Sequence, residues 1–446
     1  MNNKPGDPVT MRLFCPRVVV FLVICVLSAC STTPRPTPPP EGALLEDPWG
    51  SVPFQTAADG IDSKFTEAMM ASLLAKREQM REAGDESRIP YRALTLSGGG
   101  SRGAYGAGVL TGWTKRGDRP QFDVVTGIST GALMATHVFL GSEFDDDLAI
   151  YKSISNDDVF ERKSRLATIL AALRLPSVFN TLPLRNTLLS IISEETLDLV
   201  AAEHRKGRRL FVASTNLDAN AFTIWDMGVI AESERPDRLK RYIDAIMASA
   251  SFPVAFPPVF IEVEGESGTY TQMHVDGGVR ETAFFFDFDL LEGFGRAVEA
   301  AGFSDDDFQQ ELYLLVNGPM ASTGAKVYRP VAGKVGPIID ASLTSLMTKV
   351  TQGSAYRLWV LAMAHGADFN ICFIPSDYPF TSGSLTFDPV EQTDLFELGY
   401  QQAIDGRAWA TQPAPSSSEE MLRLILDPAS TFDRREEPEW LERRKQ

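Results

Sequence analysis

The chain has 446 residues, of which 44% are hydrophobic and 23% are charged. This is ordinary globular composition, with enough length to bury a large core in one or two domains. Acidic side chains outnumber basic ones by 59 to 42, and the formal charge of −17 argues against nucleic acid as a partner, because phosphate binding needs a basic surface.

The N-terminus has the pattern of a targeting segment. Arg12 and Arg17 precede an apolar run over 18–27, which is typical of a secretory signal and too short to span a bilayer. The Leu-Ser-Ala that ends the run and Cys30 together resemble the lipobox of bacterial lipoproteins. That resemblance implies a lipid-modified Cys30, and Ser31 after it implies delivery to the outer membrane. We therefore expect a lipid-anchored protein of the bacterial cell envelope, with a plain cleavage site as the alternative.

Composition then divides the chain into segments. A proline-rich stretch over 31–40 can form neither helix nor central strand, which predicts an extended tether. Phe65, Met69 and Leu73 repeat every four residues and predict a helix. The predicted segments are a signal peptide (1–29), the lipidated cysteine and tether (30–60), a helical lead-in (61–90), the main domain (91–412), and a C-terminal helix with a charged tail (413–446).

Strands and helices alternate through the main domain. A helix is predicted over 105–113 and another directly after Ser129. Cys372 lies in an apolar strand-like run, where we expect a buried structural thiol. The order of elements predicts an α/β fold of three α/β/α layers with a mostly parallel central sheet. Its strands are predicted at 91–96, 122–126, 209–214, 269–275, 311–316 and 369–374.

A Gly-x-Ser-x-Gly pentapeptide over 127–131 is the first chemical signal. Ser129 stands between an apolar strand and a helix-like run, with Gly127 and Gly131 on either side. In a nucleophile elbow the serine occupies a strained strand-to-helix turn, and the glycines avoid clashes with neighbouring backbone. The context therefore predicts Ser129 as a nucleophile.

A glycine-rich loop over 97–103 is the second signal, again between a strand and a helix. The amides of Gly98, Gly99 and Gly100 can approach a small anion, and one βα unit separates this loop from Ser129, so both loops are expected at the same sheet edge. This predicts an oxyanion hole. Arg102 and Gly103 complete the loop. The Arg102 side chain could buttress the loop, meet an anionic headgroup or simply be solvated.

The same loop also satisfies the Gly-x-Gly-x-x-Gly pattern of dinucleotide sites. That pattern requires an acidic residue at the end of the second strand, whereas Asp123 stands at the beginning of that strand. A dinucleotide site is therefore the less favoured interpretation.

Asp276, followed by Gly277 and Gly278 at a predicted strand end, is the third signal. A buried carboxylate within hydrogen-bond reach of a serine hydroxyl can take its proton directly. By itself the tripeptide fits a tight turn equally well.

The three loops, in this order, resemble the patatin-like phospholipase family. The resemblance implies that Ser129 and Asp276 form a catalytic dyad without histidine, that Gly98, Gly99 and Gly100 line the oxyanion hole, and that residues 91–412 hydrolyse phospholipids or other acyl esters without metal or cofactor. Segments 248–253 and 256–259 are similar to the family's proline-rich segment, and 387–400 is similar to related bacterial members. Residues 279–283 depart from the family's usual Asn-Pro stretch, which leaves the shape of the pocket open.

Two other functions stay open at this stage. A Ser-Asp-His esterase of the α/β-hydrolase type would need a late histidine, and His365 is the candidate. A catalytically inactive, membrane-tethered scaffold of the same fold is the other. We also hypothesise that the segment 145–193 is a lid over the pocket. The sequence gives no oligomeric state.

Overall fold

The computed structural model describes most of the predicted main domain and parts of the segments before it. The predicted signal peptide, Cys30 and the C-terminal helix with its tail from 414 onward lie outside the described residues. The described residues are 35–43, 45–46, 52–54, 63–162, 177–265, 267–285, 298–304, 307–320 and 330–413.

Twelve strands are assigned within these residues, and every strand predicted above is among them. The strands are β1 (Leu45–Glu46), β2 (Val52–Phe54), β3 (Ile89–Leu96), β4 (Val124–Gly127), β5 (Glu161–Arg162), β6 (Phe179–Asn180), β7 (Arg209–Asn216), β8 (Ala221–Asp226), β9 (Val259–Gly265), β10 (Gly268–Asp276), β11 (Phe308–Pro319) and β12 (Asp368–Ile374).

The helices of the described residues include the three that the sequence predicts within them. Short 3-10 helices span Gly100–Arg102, Ser142–Lys152 and Gly277–Val279. The α-helices are α1 (Ser63–Glu82), α2 (Gly103–Arg116), α3 (Thr130–Leu140), α4 (Asn156–Val159), α5 (Leu182–Ile191), α6 (Glu194–Arg205), α7 (Met227–Glu232), α8 (Arg238–Ser249), α9 (Val335–Ala364) and α10 (Pro389–Ile404).

The central sheet is mixed and mostly parallel at its centre. Its main path runs β1-β9-β10-β7-β4-β3-β11-β12, and the five strands from β7 to β12 pair in parallel. The remaining strands extend the β7 side in antiparallel pairs. The parallel part is what the alternating sequence predicts, whereas the antiparallel extension is a feature that the pattern alone did not reveal.

Two buried clusters lie on opposite faces of this sheet and give the fold its three layers. One cluster includes residues of α2, α3, α8 and α10, and the other includes residues of α1 and α9. Val125 of β4 belongs to the first cluster and its neighbour Val124 to the second. Phe65, Met69 and Leu73 of α1 are each at most 2% exposed, which confirms that their spacing marks the buried stripe of a helix. The molecule is therefore an α/β/α sandwich.

The start of the predicted tether lies against this domain. The amide of Thr271 in β10 donates to the carbonyl of Thr37 at 2.9 Å, and Arg35 pairs with Asp218. Extended backbone is what the prolines predict, but the segment is not a free spacer over its whole length, because its backbone finds partners on the sheet. Across the described stretches of the chain, no helix is both long and apolar enough to cross a membrane.

Candidate active site

Ser129 occupies a strained turn between β4 and α3. Its φ of 54° and ψ of −123° lie in a region that side chains rarely adopt, and it caps the N-terminus of α3. A Cβ added at Gly131 would overlap the Leu96 carbonyl, and one at Gly127 would lie 2.7 Å from the Gly131 oxygen. The flanking glycines are therefore required by close backbone approach, as the elbow interpretation predicts.

The hydrogen bond that holds this turn comes from a segment far along the chain. The amide of Ser129 donates to the hydroxyl of Ser249 at 3.0 Å, and Ser249 is fully buried at the end of α8. Two residues later, the carbonyl of Ser251 accepts the amide of Asp276 at 2.9 Å. One short segment thus positions both Ser129 and Asp276. In the sequence this segment stands out only through a family resemblance, and no pattern there indicates a role for Ser249.

The glycine-rich loop faces Ser129 at the end of β3. A Cβ at Gly98 would lie 3.2 Å from the Ser129 Cβ, so the two loops meet at one sheet edge, as predicted. Gly100 has a φ of 60°, a conformation that favours glycine, and any Cβ there would overlap the carbonyl of Ser384. Below the loop, the Asn317 side-chain amide donates to the Ser97 carbonyl at 2.8 Å.

Only two of the three predicted oxyanion donors are free in this loop. The amide of Gly98 donates to the carbonyl of Thr282 at 3.0 Å. The amides of Gly99 and Gly100 have no acceptor among the residues that the structure describes. Gly98 lines the site as predicted but uses its single N–H within the protein, so Gly99 and Gly100 are the two glycines of the loop whose amides remain candidates for oxyanion donors.

Asp276 reaches the serine because β10 runs antiparallel to β7. Gly127 at the end of β4 pairs with Val212 of β7, and Asp276 pairs with Ser214, two residues further along β7. The carboxylate therefore lies just beyond the end of β4, where Ser129 follows. If β10 ran parallel to β7, its C-terminal residue Asp276 would instead lie near the C-terminal end of β7.

The Asp276 side chain is only 1% exposed, and this burial controls its acidity. Burial raises the pKa of Asp276 to about 7, against the opposing effects of the Ser129 hydroxyl and the Gly278 amide. Oδ1 accepts the Gly278 amide at 2.7 Å, while Oδ2 accepts no hydrogen bond of ordinary geometry from the described residues. The serine is thus near enough to affect the pKa, yet the contact is looser than a formed hydrogen bond. Hydrogen bonds between a nucleophile and its base are often long in enzymes without substrate, so this geometry is compatible with such a pair.

The remaining motif residues support these loops. A Cβ at Gly103 would overlap the Thr130 hydroxyl, one at Gly277 would lie 2.6 Å from the Ala213 carbonyl, and one at Gly278 would overlap Met347 of α9. The Arg102 guanidinium lies 4.1 Å from the centre of the Phe380 ring at the mouth of the site. This contact agrees with the buttressing role considered for Arg102.

The segment that departs from the family pattern connects the site to α9. Glu281 accepts hydrogen bonds from Ser354 and Arg357 of α9, both at 2.7 Å. The Thr282 carbonyl accepts the Gly98 amide described above. The departure at 279–283 therefore helps to set one wall of the pocket through α9.

One pocket brings Ser129, Asp276 and the glycines at 98–100 together. Its cavity volume is about 140 Å³, and Ser129, Asp276 and the glycine loop line its polar side. Much of the remaining wall is apolar, including Leu133 and Met134 of α3 and Leu188 of α5. The 145–162 and 177–193 parts of the hypothesised lid contribute to this wall, while 163–176 lies outside the described residues. Their mobility stays a prediction, which limited proteolysis tests.

None of the four histidines is placed to complete a triad. His365 is exposed at the end of α9 and lines a separate cavity. His274 is buried against Ser214, with its pKa lowered by burial to about 3, and His204 lies outside the residues that line the pocket. His137 lines the pocket two helical turns beyond Ser129. Cys372 is buried in β12, as expected of a structural thiol.

Comparison with known proteins gives a family match for part of the chain. The solved structure of VipD from Legionella pneumophila matches 71% of this chain and 67% of its own, with 10% identity and a TM-score of 0.30, a likeness too low to carry an argument. No curated protein matches the chain. Residues 94–289 match the family model for patatin-like phospholipase, which implies lipid acyl hydrolase activity. The chain therefore carries a patatin-like phospholipase domain over residues 94–289.

Proposed function

We propose that this domain hydrolyses acyl esters of lipids through an acyl-serine intermediate, with Ser129 as nucleophile and Asp276 as its base. The observation that carries the proposal is a buried carboxylate with a pKa of about 7 in the same pocket as a serine on a strained elbow. A base with a pKa near neutrality is well matched to proton transfer at neutral pH. Phospholipids and other acyl esters are the substrates to be compared.

The reaction divides into two similar halves. The Ser129 oxygen bonds to the ester carbonyl carbon while its proton passes to Asp276, and the oxyanion accepts hydrogen bonds from the amides of Gly99 and Gly100. Each such donor lowers the barrier by roughly 3 to 4 kcal/mol. The bond to the alcohol then breaks, and the alcohol leaves with the proton from Asp276. Water attacks the acyl-serine in the same way, and Asp276 returns the proton to Ser129 as the fatty acid leaves.

Hydrolysis of p-nitrophenyl butyrate and of phosphatidylcholine in mixed micelles tests the dyad, using the full chain in detergent. We expect Ser129→Ala and Asp276→Asn each to lower kcat by at least about a thousandfold, because each removes a group that acts in the transition state. Exposed residues supply the matched controls Ser142→Ala and Asp118→Asn, which should keep wild-type activity. The value of kcat/KM should rise with pH and level off above about 7, since only ionised Asp276 accepts the proton.

Other outcomes would point to the alternatives. Activity that survives Asp276→Asn but is lost in His365→Ala would indicate a Ser-Asp-His enzyme. Activity lost on adding a chelator would contradict the metal-free mechanism. A folded protein that hydrolyses neither substrate would favour the scaffold.

We also propose that Cys30 is lipidated and anchors the domain to the outer membrane. The lipobox resemblance supports this, together with the position at which the tether meets the domain. Arg35, which pairs with Asp218 and donates to the carbonyl of Thr271 in β10, is five residue steps after Cys30, so the anchor lies within about 18 Å of Arg35 even if that segment is fully extended. The domain would thus remain close to the membrane surface.

A further inference from the structure

The pocket continues away from Ser129 along one face of α3. Leu133 and His137 of α3 are four residues apart and therefore lie on the same side of the helix, and both line the pocket together with Ser129, which caps the helix. Leu148, Val159 and Leu188 line the pocket from other elements. The space beyond the serine is therefore bounded mainly by apolar side chains, as an acyl chain would require.

The end of this apolar channel is polar. His137 is 3% exposed, and its Nε2 lies 3.3 Å from the Ile191 carbonyl oxygen and 3.4 Å from Oδ2 of Asp147. Burial lowers the pKa of His137, so the imidazole is neutral near pH 7 and its Nε2–H can donate to these oxygens. The Asp147 side chain is 42% exposed, so water reaches the outer side of the pair.

The distance from Ser129 to this polar end sets a length. His137 is eight residue steps after Ser129, which is about 12 Å along a helix that rises about 1.5 Å per residue. An extended chain advances roughly 1.2 Å per bond, so roughly ten bonds fit in that distance. A longer chain would press methylenes against His137 and Asp147 and would strip these groups of their partners, which is unfavourable.

We propose that this channel binds an acyl chain of medium length, roughly eight to ten carbons, and that His137 with Asp147 sets this limit. The inference rests on the proposed function, because it places the ester carbonyl at Ser129. His137 and Asp147 act in the selection of substrate and take no part in the bond-breaking steps.

Chain-length profiles of the full chain test the proposal. The value of kcat/KM is measured for p-nitrophenyl butyrate, octanoate, decanoate and tetradecanoate. The wild type should prefer octanoate or decanoate. His137→Ala should raise the tetradecanoate-to-octanoate ratio by about tenfold, which is the gain from burying roughly two more methylenes. Leu133→Trp blocks the channel halfway and should move the preference to butyrate. The exposed His365 supplies the matched control His365→Ala, which should keep the wild-type profile.

Binding of butanoic, decanoic and tetradecanoic acids, measured by isothermal titration, separates this inference from the proposed function. Preference for decanoic acid that shifts in His137→Ala, without hydrolysis of any ester, would support the channel and contradict the enzyme. Hydrolysis with the same profile in wild type, His137→Ala and Leu133→Trp would overturn the channel. If His137→Ala does not fold, Asp147→Ala replaces the exposed member of the pair instead. A chain-length profile that is unchanged in both Asp147→Ala and Leu133→Trp would then overturn the channel.

Discussion

At the scale of the residue, the burial that suits Asp276 to its proposed role as a base opposes the stability of the fold. Its ordinary pKa is 3.8, and burial raises the pKa to about 7 in the folded protein. Between these values the folded state binds more protons than the unfolded state, so the free energy of unfolding falls as pH rises from about 4 to about 7. Above that range the full cost of the buried charge is present. The pKa difference of about 3 corresponds to at most about 4 kcal/mol.

Replacing this carboxylate by a neutral amide should therefore stabilise the protein. We expect Asp276→Asn to unfold at a higher urea concentration than the wild type at pH 8, and the difference should nearly vanish near pH 4. Urea unfolding of both proteins across this range measures the effect. Asp118→Asn is the control, since Asp118 is exposed and paired with Arg116 and its pKa is lowered. A difference that is the same at every pH would contradict the role of the buried charge.

At the scale of the element, the contact between α2 and α10 depends on the absence of side chains. A Cβ at Gly108 would overlap the Phe396 carbonyl, and one at Gly399 would overlap the Tyr105 carbonyl. The two backbones thus approach too closely for any larger residue. Because α2 begins at the end of the glycine loop, this contact also fixes the helix that follows the loop.

A pair of Gly→Ala substitutions separates packing from helix propensity. Gly108→Ala should lower the free energy of unfolding by about 2 to 3 kcal/mol or more, because the helices must move apart. Gly353→Ala, in the exposed middle of α9 with no atom within 4 Å of the added Cβ, should raise it by about 0.5 to 1 kcal/mol. Urea unfolding gives both values. Equal effects at the two positions would show that the contact is not tight.

At the scale of the whole molecule, the question is how the domain is held at its substrate. The proposed anchor at Cys30 lies only a few residues from the point where Arg35 meets the sheet. An anchor so close to the domain restricts it to lipids of the membrane on which it sits.

Fractionation of bacteria that express the full chain tests the anchor. Wild-type protein should be recovered with the outer membrane and should incorporate labelled palmitate, whereas Cys30→Ser should lose both properties because it has no thiol to acylate. The Cys372→Ser variant is the matched control, since that buried cysteine cannot be reached for acylation. A Cys30→Ser protein that still carries the label would exclude the lipobox interpretation.

The local patterns of the sequence were sufficient to predict the parallel half of the sheet and the positions of two loops, the serine elbow and the glycine loop. Val124 and Val125 alternate faces because strand periodicity is local, and the glycines at 127 and 131 mark an elbow because steric clash is local. The glycine loop could be placed beside Ser129 because consecutive parallel strands end at one sheet edge.

What the tertiary structure decided depends on contacts between distant segments. The antiparallel direction of β10 brings Asp276 beside Ser129, and no period in the sequence encodes the direction of a strand. The Ser249 hydroxyl accepts the Ser129 amide, and the Thr282 carbonyl accepts the Gly98 amide. Each is a single hydrogen bond between residues more than a hundred positions apart. The sequence by itself thus determined the layers and the position of the candidate serine. Folding decided that Asp276 lies beside that serine, which amides remain free and how far the pocket extends, because all three depend on long-range packing.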